Sequence, residues 1–125
     1  METPKIFESE YRFCMIMWEH APVTASELSK LCFEQLGWKR TTTYTVIKRL
    51  GERGVLKNEK GVVTPLITKD EAQTSEIEML VETKFGGSLP DFVAAFTKME
   101  DLTEEDLDEM QEMIHRIRQG RGGKE

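Results

Sequence analysis

The stretch WKRTTTYTVIKRLGERGVLKNEKGVVTP, residues 38–65, contains two periodicities in succession. In its first half, apolar and small residues recur three and four positions apart, which is the spacing of one helix face. Gly54 can end such a helix because glycine readily adopts a positive φ. We therefore predict a helix over residues 40–53 whose buried stripe consists of Thr43, Val46, Ile47 and Leu50.

Beyond this helix the apolar period falls to two, which is typical of short strands. Residues 55–57 and 62–64 are the two candidate strands. They are joined by a four-residue turn in which Gly61 is available for positive φ, and Pro65 limits the second strand. The prediction is a β-hairpin, or wing, over residues 55–65 with lysines near its tip.

Two further helices are predicted before this stretch. Ser9 can cap the first, over about residues 10–20, whose apolar stripe is Tyr11, Cys14, Met17 and Trp18. Thr24 begins the second with a capping box to Glu27, and its apolar face is Leu28, Leu31, Cys32 and Leu36. Three short helices followed by a hairpin predict a winged helix-turn-helix domain over residues 1–68, in which the third helix enters the DNA major groove.

The outward face of the third helix carries hydroxyls and cations. A threonine hydroxyl can bond a base edge while its methyl packs on thymine, and lysine and arginine neutralise phosphates. An alternative is that the threonines only cap the helix start. The candidate DNA-contacting residues are Lys39, Arg40, Thr41, Thr42, Tyr44, Thr45, Lys48 and Arg49, with Lys57 and Lys60 on the wing.

Charge is distributed unevenly along the chain. The net charge is −6, yet residues 39–60 contain seven Lys or Arg against two Glu, a net of +5. A basic segment inside an acidic protein points to a polyanionic partner, although a solvated basic helix face is the plainer alternative.

Residues 69–118 predict three more amphipathic helices. A segment of about 50 residues is too short to bury their apolar stripes alone, so a second copy of the chain is the simplest cover. Packing back onto the first domain is the alternative, and residues 119–125 are expected to be disordered. The candidate dimerisation residues are Leu80, Phe92, Phe96 and the coiled-coil-like series Leu107, Met110, Ile114 and Ile117.

Several classes of protein are disfavoured. The chain has no apolar run near the ~20 residues of a membrane span and no signal-peptide core, so a cytoplasmic location is the default expectation. Cys14 and Cys32 are expected to be buried, reduced thiols. His20 and His115 are isolated, and no catalytic constellation or phosphate-binding glycine loop occurs, so we expect no metal, no cofactor and no enzymatic activity.

Short motifs occur along the chain in a particular order: Ser9-Glu-Tyr, Trp18-Glu, Leu28, Trp38, Thr42, Thr45, Arg49-Leu50, Gly54-Val55-Leu56, Pro65-Leu66, Gly87-Ser88-Leu89, Phe96 and the acidic run Glu100 to Leu107. Over about residues 6–118 this order resembles the BlaI/MecI-type family of penicillinase and methicillin-resistance repressors. The resemblance implies a mainly α fold with a small β wing, followed by a three-helix dimerisation region. It also implies a homodimeric transcriptional repressor that binds palindromic promoter DNA.

The resemblance also raises the question of an inducer. Antibiotic-responsive members are switched off by proteolysis before a phenylalanine in the second C-terminal helix, commonly after asparagine. The matching bond here is Ala95–Phe96, where alanine replaces that asparagine, so an inducing protease acting there and a link to β-lactam resistance stay open. The Cys-x-Cys pair of copper-responsive relatives is missing, since Cys32 is the last cysteine. The competing interpretation is a winged-helix module that binds protein and not DNA.

Overall fold

The computed structural model describes residues 3–122 and places them in six helices and three strands. The predicted class, mainly α with a small β wing, is confirmed. The elements in chain order are α1 (Glu8–His20), β1 (Val23–Thr24), α2 (Ala25–Leu36), α3 (Arg40–Arg53), β2 (Leu56–Glu59), β3 (Val62–Pro65), α4 (Lys69–Lys84), α5 (Leu89–Phe96) and α6 (Glu104–Gly122).

The chain divides into two compact units, one ending at Met79 and one beginning at Leu80. The first unit holds the winged helix and the first part of α4. It extends beyond the expected domain end at residue 68 because Ala72, in the first turn of α4, is buried in its core.

The core of the first unit is built from one face of each of its first three helices and from the sheet. On α3 the buried residues are the four predicted ones, Thr43, Val46, Ile47 and Leu50. They pack with Phe13, Met17, Leu28, Cys32, Leu56 and Val63. Because Leu50 is fully buried, the rotation of α3 about its axis is set by this core.

The first helix differs from its prediction at both its start and its stripe. It begins at Glu8, not after a Ser9 cap, and the Phe7 N–H donates to Glu10 Oε1 at 2.9 Å. Its buried residues are Glu10, Phe13, Cys14, Ile16 and Met17. Tyr11 and Trp18 are only half-buried, because they meet edge-to-face at the border of the core with ring centroids 5.6 Å apart.

The predicted cap at Thr24 is present, and side chains also cap the starts of α4, α5 and α6. Thr24 Oγ1 accepts from the Glu27 N–H at 3.1 Å. Thr68 and Glu71 exchange two bonds of 2.8 and 3.0 Å, and Thr103 caps α6 in the same reciprocal manner with Asp106. Each bond satisfies a backbone donor that has no partner within its helix, so these residues fix where the helices begin.

The sheet contains a strand that the sequence did not predict. The strand order of the sheet is β1-β3-β2, and neighbouring strands are antiparallel, with Val23 opposite Val63 and Lys57 opposite Thr64. Strand β1 is two residues long, which is too short to show any hydrophobic period.

The hairpin turn is tighter than predicted. Pairing continues to Glu59 and Val62, so the loop is Lys60-Gly61 and the predicted four-residue turn was wrong. Both loop residues have positive φ, +53° and +85°. This is the backbone of a type I′ turn, whose twist matches that of the two strands it joins.

The last helix is longer than predicted. Residues 119–122, expected to be disordered, continue α6, while residues 123–125 lie outside the described range. Gly120 costs about 1 kcal/mol relative to alanine but does not break a helix. Arg121 lies in the last turn, where a cation interacts favourably with the helix dipole.

Both cysteines are buried and free, as predicted. Burial raises the pKa of the Cys14 thiol to about 12 and also raises the pKa of Cys32, where the neighbouring Thr43 hydroxyl opposes the shift. Both side chains are therefore neutral, unreactive parts of the core.

An ion pair between a buried carboxylate and a half-buried guanidinium ties the end of α3 to the start of α1. Arg53 Nη2 donates to Glu10 Oε2, and Arg53 Nη1 donates to the Lys5 carbonyl at 2.8 Å. The Arg53 guanidinium also lies 4.9 Å from the centroid of the Phe7 ring. Burial raises the pKa of Glu10, but hydrogen bonds from Arg53 and the Phe7 N–H, with the charges of Arg53 and Arg49, outweigh it, so the net pKa is lowered.

We expect Arg53→Met to destabilise the protein by about 2–4 kcal/mol at pH 7, because it leaves the Glu10 carboxylate buried without its cation. The lowered pKa means that the pair stabilises the fold above the ordinary value of 4.5 and that this contribution is lost as the pH falls through the folded-state value. The difference between wild type and variant should therefore shrink in acid. Urea denaturation between pH 3 and 7 measures it.

Lys48→Met is the matched control, since Lys48 is an exposed cation on the same helix. A pH-independent loss for Arg53→Met, or an equal loss for Lys48→Met, would show that packing and not the ion pair is responsible.

Candidate nucleic-acid interface

The outward face of α3 is polar along its whole length. The side chains that alternate with the buried stripe are all exposed: Thr41, Thr42, Tyr44, Thr45, Lys48 and Arg49, with Lys39 and Arg40 at the helix start. Tyr44 is 36% exposed and is the one aromatic residue of this helix. The structure therefore brings the eight candidate residues of this region together on one surface; that they contact DNA stays a prediction.

Two neighbouring residues on this surface contact each other. Arg40 Nη2 donates to the Tyr44 hydroxyl oxygen at 3.0 Å, and the guanidinium carbon lies 5.0 Å from the Tyr44 ring centroid. The residues are one helical turn apart, so the cation lies over the ring in a cation–π arrangement.

Thr45 is more constrained than its sequence position indicated. Its hydroxyl donates to the Thr41 carbonyl at 2.9 Å, so the donor is already used within the helix. What Thr45 presents outward is its methyl group and the lone pairs of its oxygen. Both remain suited to a base edge, the methyl to a thymine methyl and the oxygen to an amino group.

The start of α3 has neither a side-chain cap nor an acidic residue. Its N-cap residue, Lys39, makes no side-chain cap bond, and no Asp or Glu lies in the first turn. In contrast, α2 is capped by Thr24 and has Glu27 in its first turn. Backbone N–H groups without partners, together with the positive end of the helix dipole, favour an anion such as a phosphate at this position.

The wing carries the two remaining candidate cations. Lys57 Nζ lies 3.5 Å from Glu59 Oε2, in a pair that is exposed on both sides. Lys60 occupies the first position of the turn with a φ of +53°, which is uncommon for a residue other than glycine, asparagine or aspartate. The backbone conformation of Lys60 at the hairpin tip is therefore one that lysine rarely adopts.

A groove separates α3 from the wing. Its volume is about 610 Å³, and Lys48 on α3 and Lys57 on β2 line it, with Tyr44 and Leu66 among the other lining residues. Glu52 also lines it, so its charge is mixed and not uniformly basic.

One cation counted in the basic segment does not belong to this surface. Arg53 is folded onto Glu10 and the Lys5 carbonyl, so it supports the fold and is not available to a ligand. The sequence reasoning missed this anchor. The one available signal was an acidic residue, Glu10, on the buried side of a predicted helix.

The candidate dimerisation residues all lie in the second unit, on α4, α5 and α6. Leu107, Ile114 and Ile117 are 40–56% exposed on α6, and Met110 between them is half-buried. Leu80 is also exposed, and Phe92 and Phe96 are half-buried with their rings stacked 6.4 Å apart. In a single chain, all seven of these apolar side chains are therefore at least partly exposed to water.

Residues 3–122 contain no group of three or more His, Cys, Asp or Glu that could hold a metal ion. Within the same range, no helix is long and apolar enough to cross a bilayer.

The sequence profile described as penicillinase repressor matches residues 6–116, which is most of the chain. The chain belongs to the penicillinase repressor family. This family is a class of DNA-binding transcriptional repressors and not of enzymes. The resemblance of the motif series to BlaI/MecI-type repressors is thereby confirmed.

The chain is also similar to individual proteins. The solution structure of the DNA-binding domain of the repressor BlaI has a TM-score of 0.51 and 26% identity, and the match covers 57% of this chain and 93% of that domain. A solution structure of the monomeric Bacillus licheniformis BlaI in complex with the blaP half-operator has a TM-score of 0.49, with the same identity and coverage. The "Uncharacterized 16.5 kDa protein in ptsI 3′ region" of Latilactobacillus sakei is 27% identical over 116 residues, 90% of this chain and 80% of that protein.

The left-handed backbone conformation of Lys60 leads to a stability prediction. Lys60→Asn should stabilise the fold by about 0.5–1 kcal/mol, because asparagine tolerates the left-handed region and Asn-Gly is the favoured type I′ pair. Urea denaturation measures the change. Lys57→Asn is the control, because Lys57 lies in strand β2 and not in the turn. An equal gain for both variants would mean that removal of a positive charge, not backbone conformation, is responsible.

Proposed function

We propose that this chain represses transcription as a homodimer on palindromic promoter DNA. Helix α3 lies in the major groove of each half-site, and the wing over residues 55–65 lies on the backbone. The observation that carries the proposal is the outward face of α3, where hydroxyls and cations stand on a helix whose rotation is fixed by its buried stripe. An interaction module for protein would favour apolar residues on that face.

The contacts divide into two classes. Arg40, Thr42 and Thr45 lie in the first two turns of α3, the part of a recognition helix that contacts base edges. Lys48 and Arg49 lie further along the helix, and Lys57 and Lys60 lie on the wing, where they contact phosphates. The uncapped helix start adds backbone N–H donors to the phosphate contacts.

Dimerisation follows from the apolar surface of the second unit. The exposed Leu107, Ile114 and Ile117, with half-buried Met110, repeat at the spacing that two helices use to pack along a common seam. One winged helix binds one half-site weakly, whereas a dimer holds two at a high effective concentration. The half-sites are then about 10 bp or a small multiple apart.

An inducing protease at Ala95–Phe96 is a further part of the proposal. That bond lies in the last turn of α5, and the Phe96 ring packs on Phe92. A protease requires an extended substrate, so cleavage requires that this eight-residue helix opens first.

The charged contacts predict a strong dependence of DNA affinity on salt. If the dimer neutralises about 6–8 phosphates, log affinity falls against log salt with a slope of about −5 to −7. Lys48→Ala should weaken binding to all sequences alike and reduce the slope by about 1 per monomer. Fluorescence anisotropy with duplex DNA, from about 50 to 300 mM salt, measures both.

Lys98→Ala is the control, since Lys98 is exposed and lies outside the winged helix. A slope near zero for the wild type would contradict DNA binding through phosphates, and equal slopes for Lys48→Ala and wild type would remove Lys48 from the interface.

Placing a lysine on the α6 seam tests the dimer. Ile114→Lys puts a charge where the partner helix would bury it, which costs several kcal/mol or forces the helices apart. We expect a smaller species in sedimentation and loss of specific DNA binding, while circular dichroism shows that the winged helix stays folded.

Gln119→Lys adds the same charge to an exposed position on the opposite side of the same helix and should stay dimeric. If Ile114→Lys also stays dimeric with its DNA affinity intact, the dimer interface lies elsewhere, for example around Leu80 and Phe96.

A further inference from the structure

The contact between Arg40 and Tyr44 restrains the guanidinium at two points. The hydrogen bond of 3.0 Å to the tyrosine hydroxyl fixes one nitrogen, and the guanidinium carbon lies over the ring, 5.0 Å from its centroid. A hydrogen bond alone would let the group rotate, and a ring alone would let it slide. Together they hold an otherwise flexible side chain in one orientation on an exposed helix.

We propose that Arg40 reads a guanine in the major groove and that Tyr44 is the positioning residue that holds its guanidinium edge-on to the base. The proposal rests on the DNA-binding function proposed above. Arg40 is the first residue of α3, and the N-terminal residues of a recognition helix contact base edges.

The chemistry of the pair fits guanine. Guanine presents two acceptors, O6 and N7, side by side in the major groove, and the planar fork of arginine matches them with two parallel N–H donors. The bond to Tyr44 uses one of the five N–H donors of Arg40, so a donor pair remains. Because Arg40 is held at these two points on the exposed face of α3, this pair is available to a base edge.

A phosphate contact does not require such an arrangement. A lysine can bind a phosphate as a point charge, and Lys39 and Lys48 lie on the same surface. Arg49 lies on the same face of α3, and among residues 3–122 no aromatic ring stacks on it. Holding Arg40 in place beforehand reduces the entropy lost when it binds, which matters most for a contact that must meet two acceptors at once.

Tyr44 then acts through Arg40 and not by its own base contact. Its hydroxyl accepts the arginine bond and its ring is the platform. Substitutions at the two positions should therefore affect the same base pair, and the effect of changing Tyr44 should depend on whether Arg40 is present.

Selection of binding sites from random duplex DNA by the full chain tests this. The wild-type motif should contain a guanine in each half-site that Arg40→Lys no longer prefers, with a loss of about 5- to 150-fold at that base and an unchanged salt slope. Tyr44→Ala should weaken preference at the same guanine, and Tyr44→Phe, which keeps the ring, should weaken it less. The double variant Arg40→Lys with Tyr44→Ala should lose no more than Arg40→Lys alone.

Arg49→Lys is the matched control and should leave the motif unchanged. All these residues are exposed, and circular dichroism checks that each variant is folded. The proposal is overturned, with DNA binding intact, if Arg40→Lys keeps the wild-type motif or if Tyr44→Ala alters a different base pair. A wild-type chain that binds no duplex DNA at low salt would instead overturn the proposed function itself.

Discussion

Burial of the inner stripe of α3 is the constraint on which the rest of the candidate site depends. Successive residues of a helix are rotated by about 100°, so burying Val46, Ile47 and Leu50 leaves no freedom in which residues face outward. The Glu10–Arg53 ion pair adds a second restraint at the far end of the same helix. Because the core holds this helix from beneath, its outer face can carry threonines and a tyrosine, which are poor helix formers, beside its cations.

The parts of the fold that could be predicted from sequence are those set by local signals. Helix α3 was predicted at both ends because its stripe is periodic and Gly54, with a φ of +84°, ends it. Strand β1 was not predicted because a strand of two residues has no period. The start of α1 was not predicted because its Glu10 pairs with Arg53, which is 43 positions away in sequence. The four-residue turn was wrong because the sequence favours a glycine at a turn but does not say that lysine precedes it with positive φ.

The candidate site was predictable as a surface but not as a set of contacts. Which residues point outward follows from the helical period, whereas the bond from Thr45 to the Thr41 carbonyl and the folding of Arg53 onto Glu10 depend on rotamers and on distant partners. The Arg40–Tyr44 pair could have been recognised, since residues four apart on a helix face each other. The second unit adds a separate requirement, because the apolar residues of α6 leave a lone chain with a surface that soluble proteins rarely expose.

Lysine footprinting by mass spectrometry tests most directly whether the outward face of α3 and the wing bind DNA. The full chain is acetylated with and without bulk duplex DNA at low salt, and the reactivity of each lysine is compared. We expect protection of Lys39, Lys48, Lys57 and Lys60, with Lys84 and Lys98 unchanged. Protection confined to lysines outside the winged helix, or equal reactivity with and without DNA at Lys48 and Lys57, would contradict the assignment of this surface to DNA.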